Sequence, residues 1–102
     1  MSFRLRFTEE AQEDLERLYD WLLDRSDGDF VLAERALQSI RDAVSVLEVA
    51  PLSCRKATST DPFLRELVIG FGASGYVLLF EVEDVHTVTV LATRHQREDD
   101  YH

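Results

Sequence analysis

The residues best suited to chemistry lie together at the end of the chain. The segment LATRHQREDDYH places Arg94, His95, Arg97, Glu98 and Tyr101 directly behind a run of strand-forming residues. A histidine that titrates near neutral pH can donate or accept a proton, and an arginine can hold a phosphate or a carboxylate. The segment is therefore compatible with an active site, with a docking surface, or with a solvated strand end that forms weak local ion pairs.

A metal site is the less favoured interpretation of the same segment. His95, Asp99 and His102 are residue types that ligate metals, but three such residues near a chain end are more often solvated than ligating. The single cysteine, Cys54, has no partner for a disulfide or for a CxxC metal motif. We expect no metal and no cofactor.

The charge distribution limits the kinds of partner. The formal net charge is −9, which argues against direct nucleic-acid binding because such binding depends on neutralising phosphates. Residues 1–50 carry 12 acids against 6 arginines, and many of these acids are expected to form a solvated helix face: Glu9, Glu10, Glu13, Asp14, Glu16, Asp20 and Asp24. The bases of the second half fall in two short stretches, which allows a local positive patch on an acidic body: Arg55, Lys56, Arg65, Arg94 and Arg97.

Length and composition indicate one globular domain over residues 1–102. An apolar content of 45% with four glycines and two prolines is typical of a folded chain. The first residues lack the apolar stretch of a signal peptide, and no apolar run approaches the roughly 20 residues that span a bilayer. We expect a soluble cytoplasmic protein without membrane contact.

The first half of the sequence predicts a strand and two helices. FRLRF alternates apolar and polar residues as a short strand does, and Thr8 can then cap a helix. The loop SDGD ends this helix and offers Asp27 or Asp29 as the next cap. A second apolar stripe at helical spacing stops before Pro51. Two helices joined by so short a loop should form an antiparallel hairpin.

The second half predicts a three-stranded antiparallel meander. Its strands are FLRELVIGF, YVLLFEVE and VHTVTVLAT, separated by GASG and by a turn around Asp84. The element order β-α-α-β-β-β defines an α+β fold with both helices on one face of the sheet.

Counting outward from the two turns gives the approximate pairing of residues across neighbouring strands. Val77 is then opposite Gly70 on one side and Ala92 on the other. One face then carries Leu64, Val68, Val77, Leu79, Val88, Val90 and Ala92. The other carries Leu67, Ile69, Phe71, Tyr76, Leu78, Phe80, Val82 and Leu91. The aromatic residues of the second face favour it as the face under the helices. The valine-rich face should then be exposed, and the isolated chain should self-associate unless a partner covers it.

The whole pattern resembles the ParE/RelE superfamily of toxins from type II toxin-antitoxin modules. The residues that carry the resemblance are LEVAP at the end of the helix hairpin, LREL, GYVLLFEVE and VLATRHQRE, in this order. The similarity runs from Phe3 to Tyr101 and is greatest to the ParE branch, whose members are sometimes described as plasmid stabilisation proteins.

Members of the superfamily have one of two activities, and the residues at a few positions indicate which activity to expect. RelE-type members cleave mRNA on the ribosome, which requires proton transfer and stabilisation of a crowded phosphate. They typically carry an arginine in a pattern like G-x-R-L-V-Y, and the matching position in GYVLLF is Val77. The basic loop before the sheet is reduced to Arg55 and Lys56, and Arg65 should lie at the opposite end of the sheet from His95. The ParE branch, whose members poison DNA gyrase by stabilising its cleaved complex, fits this sequence better.

The resemblance therefore implies a toxin that arrests growth by binding gyrase and that a cognate antitoxin neutralises. The expected target-binding residues are Arg94, His95, Arg97, Glu98 and Tyr101. The expected antitoxin-binding residues are Val68, Val77, Leu79, Val88 and Val90. Two alternatives stay open: a ribosome-dependent endonuclease using His95, Arg94, Arg97 and Tyr101, and a non-toxic partner-binding module on the same fold.

Overall fold

A computed structural model describes residues 2–71 and 74–95, and it has the α+β architecture that the sequence predicts. The elements are β1 (Arg4–Phe7), α1 (Glu9–Arg25), α2 (Phe30–Val49), β2 (Arg55–Lys56), β3 (Leu64–Phe71), β4 (Ser74–Val82) and β5 (Thr87–His95). A single 3-10 turn, Pro51–Ser53, follows α2.

The helix boundaries follow from capping. Thr8 caps α1 by accepting the backbone N–H of Ala11 at 3.1 Å, and the first turn of α1 is acidic, which suits the positive end of the helix dipole. Asp29 caps α2 by accepting the N–H of Leu32 at 3.0 Å. Between the helices, Asp27 and Gly28 adopt positive φ angles of 56° and 81°, a conformation that glycine adopts without steric cost.

The sheet has five strands in the order β1-β5-β4-β3-β2. The meander of β3, β4 and β5 is antiparallel as predicted, and β1 adds to its outer edge parallel to β5. The short strand β2 extends the opposite edge by pairing with β3.

The register differs from the predicted one. Val77 lies opposite Val68 on β3 and opposite Arg94 on β5, because the β3–β4 turn is tighter than assumed and a bulge interrupts the β4–β5 ladder at Leu91. In the first part of β5, Val88 pairs with Val82 and Val90 with Phe80. A change of register by one residue turns a strand over. Val88 and Val90 therefore lie on the helix-covered face and not on the opposite face as predicted.

The core lies between the helix hairpin and this face of the sheet. The prediction that Ile69, Tyr76, Leu78 and Phe80 lie under the helices is confirmed, and all four are buried. The same cluster contains sheet residues Val82, Val88 and Val90 and helix residues Ala11, Leu18, Leu22, Ala33, Ala36, Ile40 and Leu47.

The opposite face is not the continuous exposed valine surface that the sequence suggested. Val68 is 44% exposed, but Val77, which lies on the central strand β4 opposite Val68 and Arg94, is only 3% exposed. Ala92 is also buried and Leu79 is partly buried. The predicted exposed patch is therefore wrong in its extent, and the argument for self-association loses its main support.

Neither helix is long and apolar enough to cross a membrane, within the part of the chain that the structure describes.

Candidate functional site

Strand β5, which leads into the charged segment, has two halves with different neighbours. Residues 87–90 pair with β1 on one side and with β4 on the other. Because β1 ends at Phe7, α1 lies alongside the outer edge of the second half. The first contact is made by Thr8, whose N–H donates to the carbonyl of Val90 at 3.0 Å and whose hydroxyl donates to the carbonyl of Leu91 at 3.3 Å.

The second contact is a buried carboxylate. Asp14 is 3% exposed, and its Oδ2 accepts the backbone N–H of Thr93 at 2.9 Å, while Arg17 lies 3.4 Å from its Oδ1. Asp14 follows Ala11 by three residues and precedes Leu18 by four, so it shares the buried stripe of α1. The expectation that Asp14 belongs to the solvated acidic face is therefore wrong.

The third contact is aromatic. His95 is 7% exposed, its ring centroid lies 5.0 Å from that of Trp21, and an edge contact of 5.6 Å joins it to Tyr76. Burial raises the pKa of the Tyr76 phenol, so this group is neutral at physiological pH. The expectation of an exposed strand end is wrong for His95, because α1 covers it.

Arg25 extends this aromatic contact towards the solvent. Its guanidinium carbon lies 5.0 Å from the centroid of the Trp21 ring, within the range of a cation–π interaction. Trp21 itself is 37% exposed. The order of contacts is thus Arg25, Trp21, His95 and Tyr76, from the surface to the core.

Arg94 belongs to the other face of the sheet. Side chains alternate along a strand, and Arg94 lies opposite Val77, whereas His95 lies opposite Tyr76 on the helix-covered face. Arg94 Nη1 is 3.4 Å from the carbonyl oxygen of His95. The structure thus places these two neighbours at the same end of the sheet without bringing their side chains to one point.

The remaining predicted residues of this segment, Arg97, Glu98 and Tyr101, lie outside the described residues, as do Asp99 and His102. Among the residues that the structure describes, no group of three His, Cys, Asp or Glu side chains is placed to hold a metal ion.

Arg65, at the start of β3, has a structural role. Arg65 donates to the carbonyls of Pro62 at 2.6 Å, Cys54 at 2.9 Å and Leu52 at 3.3 Å, and so holds the loop after α2. Glu83, the acid near this end of the sheet, is paired with Arg6 at 3.6 Å.

Arg55 is paired with Glu66 at 3.0 Å. The pKa of the Cys54 thiol is raised, chiefly by burial. Arg65 lies opposite Phe80 of β4, and His95 lies opposite Tyr76 of the same strand. Phe80 and Tyr76 are four residues apart, so Arg65 and His95 are separated by about 13 Å along the strand direction. This separation is shorter than predicted but still too long for Arg65 and His95 to share a phosphate.

The predicted antitoxin-binding residues divide into two groups. Val88 and Val90 are fully buried in the core and are not available to a partner in this fold. Val68 is exposed and Leu79 is partly buried on the open face, whereas Val77, which pairs with Val68 and shares β4 with Leu79, is buried.

The sequence analysis did not identify the roles of Asp14 and Trp21. The available signal for Asp14 was its position on the apolar stripe of α1. The contact of Trp21 with His95 joins residues 74 positions apart and had no signal in the local pattern.

Comparison with known proteins places this architecture in a family. Residues 5–100 match the family described as the ParE toxin of the type II toxin-antitoxin system parDE. The chain is 35% identical over 89 residues to Toxin RelE3 of Caulobacter vibrioides, covering 86% of this chain and 88% of that protein. A solved structure titled as the chromosomal ParDE TA system from P. aeruginosa has a similar fold, with a TM-score of 0.72 at 21% identity over 92% of this chain and 96% of the other. The chain therefore belongs to the ParE toxin family and is a toxin of a type II toxin-antitoxin module, as its resemblance in sequence implied.

Proposed function

We propose that this toxin arrests growth by binding DNA gyrase through the end of β5 and the segment that follows it, without catalysing a reaction of its own. The toxin role and the existence of a cognate antitoxin follow from the family. The choice of gyrase rests on the resemblance to the ParE branch and on the chemistry of the residues at the end of β5.

The observation that carries the proposal is the burial of His95 between Trp21 and Tyr76. A general acid or base must come within about 3 Å of the proton that it transfers, directly or through one water. A ring that is 7% exposed and packed against two aromatic side chains is better suited to fixing the end of the strand. His95 is thus a positioning residue for the binding surface.

Two further observations oppose phosphodiester chemistry. The position where nucleases of the superfamily carry an arginine is the buried Val77, which offers no charge to a phosphate. Arg94, which precedes His95 in the sequence, lies on the opposite face of the sheet from it. Neither Val77 nor Arg94 therefore supplies a cation that could bind the same phosphate as His95.

The name of the Caulobacter relative, Toxin RelE3, favours ribosome-dependent mRNA cleavage as the second candidate. Its catalytic set would be His95 and Arg94 with Arg97 and Tyr101. This candidate requires His95 to leave its contacts with Trp21 and Tyr76 when the substrate binds.

For the antitoxin, the groove between the two helices is a better site than the open sheet face. This cavity of about 450 Å³ is lined by apolar residues that include Leu15, Ile40 and Val44, and by two acids and one base: Glu16, Asp20 and Arg41. An amphipathic antitoxin segment that carries basic residues would match both the apolar lining and the charge. Val68 and Leu79 remain candidates for a secondary contact.

Induced expression in bacteria, with and without the cognate antitoxin, tests the proposal. We expect growth arrest accompanied by double-strand DNA breaks and intact transcripts, and rescue by the antitoxin. Codon-dependent cleavage of mRNA without DNA breaks would establish mRNA cleavage, the second candidate. Unimpeded growth would favour the third interpretation, a non-toxic partner-binding module.

A further inference from the structure

We propose that Trp21 and Arg25 of α1 form part of the target-binding surface, and that they receive an acidic segment of the target protein. This rests on the proposed binding mode at the end of β5 and extends that surface from the strand to the helix. The observation behind it is the continuous contact of Arg25 with Trp21 and of Trp21 with His95, which ends at the solvent.

The helix and the strand end form one surface because α1 runs alongside the second half of β5. Thr8 contacts residues 90 and 91, Asp14 contacts Thr93, and Trp21 contacts His95. Each step towards the end of α1 is a step towards the end of β5. Trp21 and Arg25 consequently lie where β5 gives way to the charged segment after residue 95.

The residue types are those that dominate binding energy at protein interfaces. Tryptophan and arginine are enriched among residues whose truncation costs the most affinity. Trp21 is held in place by its contacts with His95 and Arg25, so little side-chain entropy is lost when a partner covers it. The exposed part of its ring, 37% of the residue, is available for that contact.

Charge determines the kind of partner. Among the described residues, Arg25 has a cation–π contact and no ion pair, and a guanidinium group can donate hydrogen bonds to a carboxylate. The outward acids of α1, such as Glu13, Glu16 and Asp20, make the surface beside it negative. Arg25, in the last turn of an acidic helix, fits a short acidic segment, whereas a long polyanion would be repelled by a chain of net charge −9.

Arg4 provides a matched control. It is exposed, makes no ion pair among the described residues, and lies opposite Thr87 at the other end of β5. Eight residues separate Thr87 from His95, which is about 26 Å along the strand. The same substitutions at Arg4 and Arg25 change the net charge equally, and only those at Arg25 remove the contact with Trp21.

The experiment compares Arg25→Ala, Arg25→Glu, Arg4→Ala and Arg4→Glu with the wild type in the full-length chain. Thermal unfolding should change only slightly in the four variants, and most in Arg25→Glu, which places an acid in the last turn of α1. We expect Arg25→Ala to weaken binding to purified gyrase about 10-fold and Arg25→Glu to weaken it further, with growth arrest reduced in the same order. The Arg4 variants should match the wild type.

Trp21→Ala should also weaken arrest, but it removes a contact with His95, so the Arg25 series decides the question. Full growth arrest by Arg25→Glu, or an equal loss in Arg4→Glu, would overturn the inference. Binding of the wild type to gyrase only when DNA is present, with loss in Arg25→Glu, would overturn the acidic protein segment in favour of phosphate. If growth arrest depends on Arg25 but the protein does not bind gyrase, gyrase is not the target. The inference that Trp21 and Arg25 belong to the target-binding surface would then still hold.

Discussion

The two halves of β5 are stabilised by different interactions, although they belong to one continuous strand. Residues 87–90 have backbone ladders on both sides, and Val88 and Val90 lie fully buried in the core. Residues 91–95 have β4 on one side and contacts from Thr8, Asp14 and Trp21 on the other. The first half thus depends on the fold as a whole, whereas the position of the second half depends on a few side chains that single substitutions can remove.

The largest effect is expected from a charge placed in the first half. Val90→Lys would bury an unpaired ammonium group in the core and should cost more than about 4 kcal/mol, enough to unfold so small a domain. Val68→Lys, on the exposed part of the open face, should change the free energy of unfolding by less than about 0.5 kcal/mol. Thermal unfolding of both variants, followed by circular dichroism, would measure the two losses of stability. A well-folded Val90→Lys protein would show that the bulge at Leu91 and the register derived from it are incorrect.

The second half should be sensitive to the loss of a single acceptor. Asp14→Ala leaves the buried N–H of Thr93 without its partner and should cost about 2–3 kcal/mol in the free energy of unfolding. Asp14→Asn keeps one carbonyl acceptor and should cost less. Urea denaturation would give both values, with Glu13→Ala as the exposed neighbouring control, for which we expect almost no change. Equal effects at positions 13 and 14 would contradict the buried role of Asp14.

Thr8 joins the two halves and should show an intermediate effect. Thr8→Ala removes the cap of α1 and the hydrogen bond to the carbonyl of Leu91, at a cost of about 1 kcal/mol. Thr8→Ser keeps the hydroxyl and should be close to the wild type. Hydrogen exchange at the first turn of α1 would report the loss, and unchanged protection in Thr8→Ala would exclude the cap as a stabilising contact.

The smallest effect concerns the turn that begins the first half. The N–H of His86 donates to the Asp84 carboxylate at 2.7 Å, which lowers the pKa of this carboxyl below its ordinary value. A lowered folded-state pKa stabilises the fold above the unfolded-state pKa, and this stabilisation is lost as the pH falls through the folded-state value. The melting temperatures of the wild type and Asp84→Asn should therefore differ slightly at pH 7 and converge in acid. A difference that persists after Asp84 is protonated would have another cause.

The elements and their order could be predicted because they depend on local chemistry. Thr8 and Asp29 are capping residues at positions where apolar stripes begin, and the alternation in the last three strands specifies a meander. The choice of Ile69, Tyr76, Leu78 and Phe80 for the covered face also followed from residue type alone.

The details of the site could not be predicted because they depend on register and on distant contacts. The bulge at Leu91 has no glycine or proline to mark it, and because of it Val90 and Ala92 lie on opposite faces of the sheet. The pairing of Trp21 with His95 joins the middle of a helix to the end of the last strand. Only Asp14 carried a signal, as an acid on an apolar stripe, that a closer look at helical spacing would have found.

The central claim is that His95 positions the end of β5 and takes no part in proton transfer. His95→Phe tests it most directly, because phenylalanine keeps an aromatic ring between Trp21 and Tyr76 but can neither donate nor accept a proton. We expect this variant to fold and to arrest growth within a few-fold of the wild type, while His95→Ala loses both stability and arrest. A folded His95→Phe protein that no longer arrests growth would contradict the claim and restore His95 to a catalytic role.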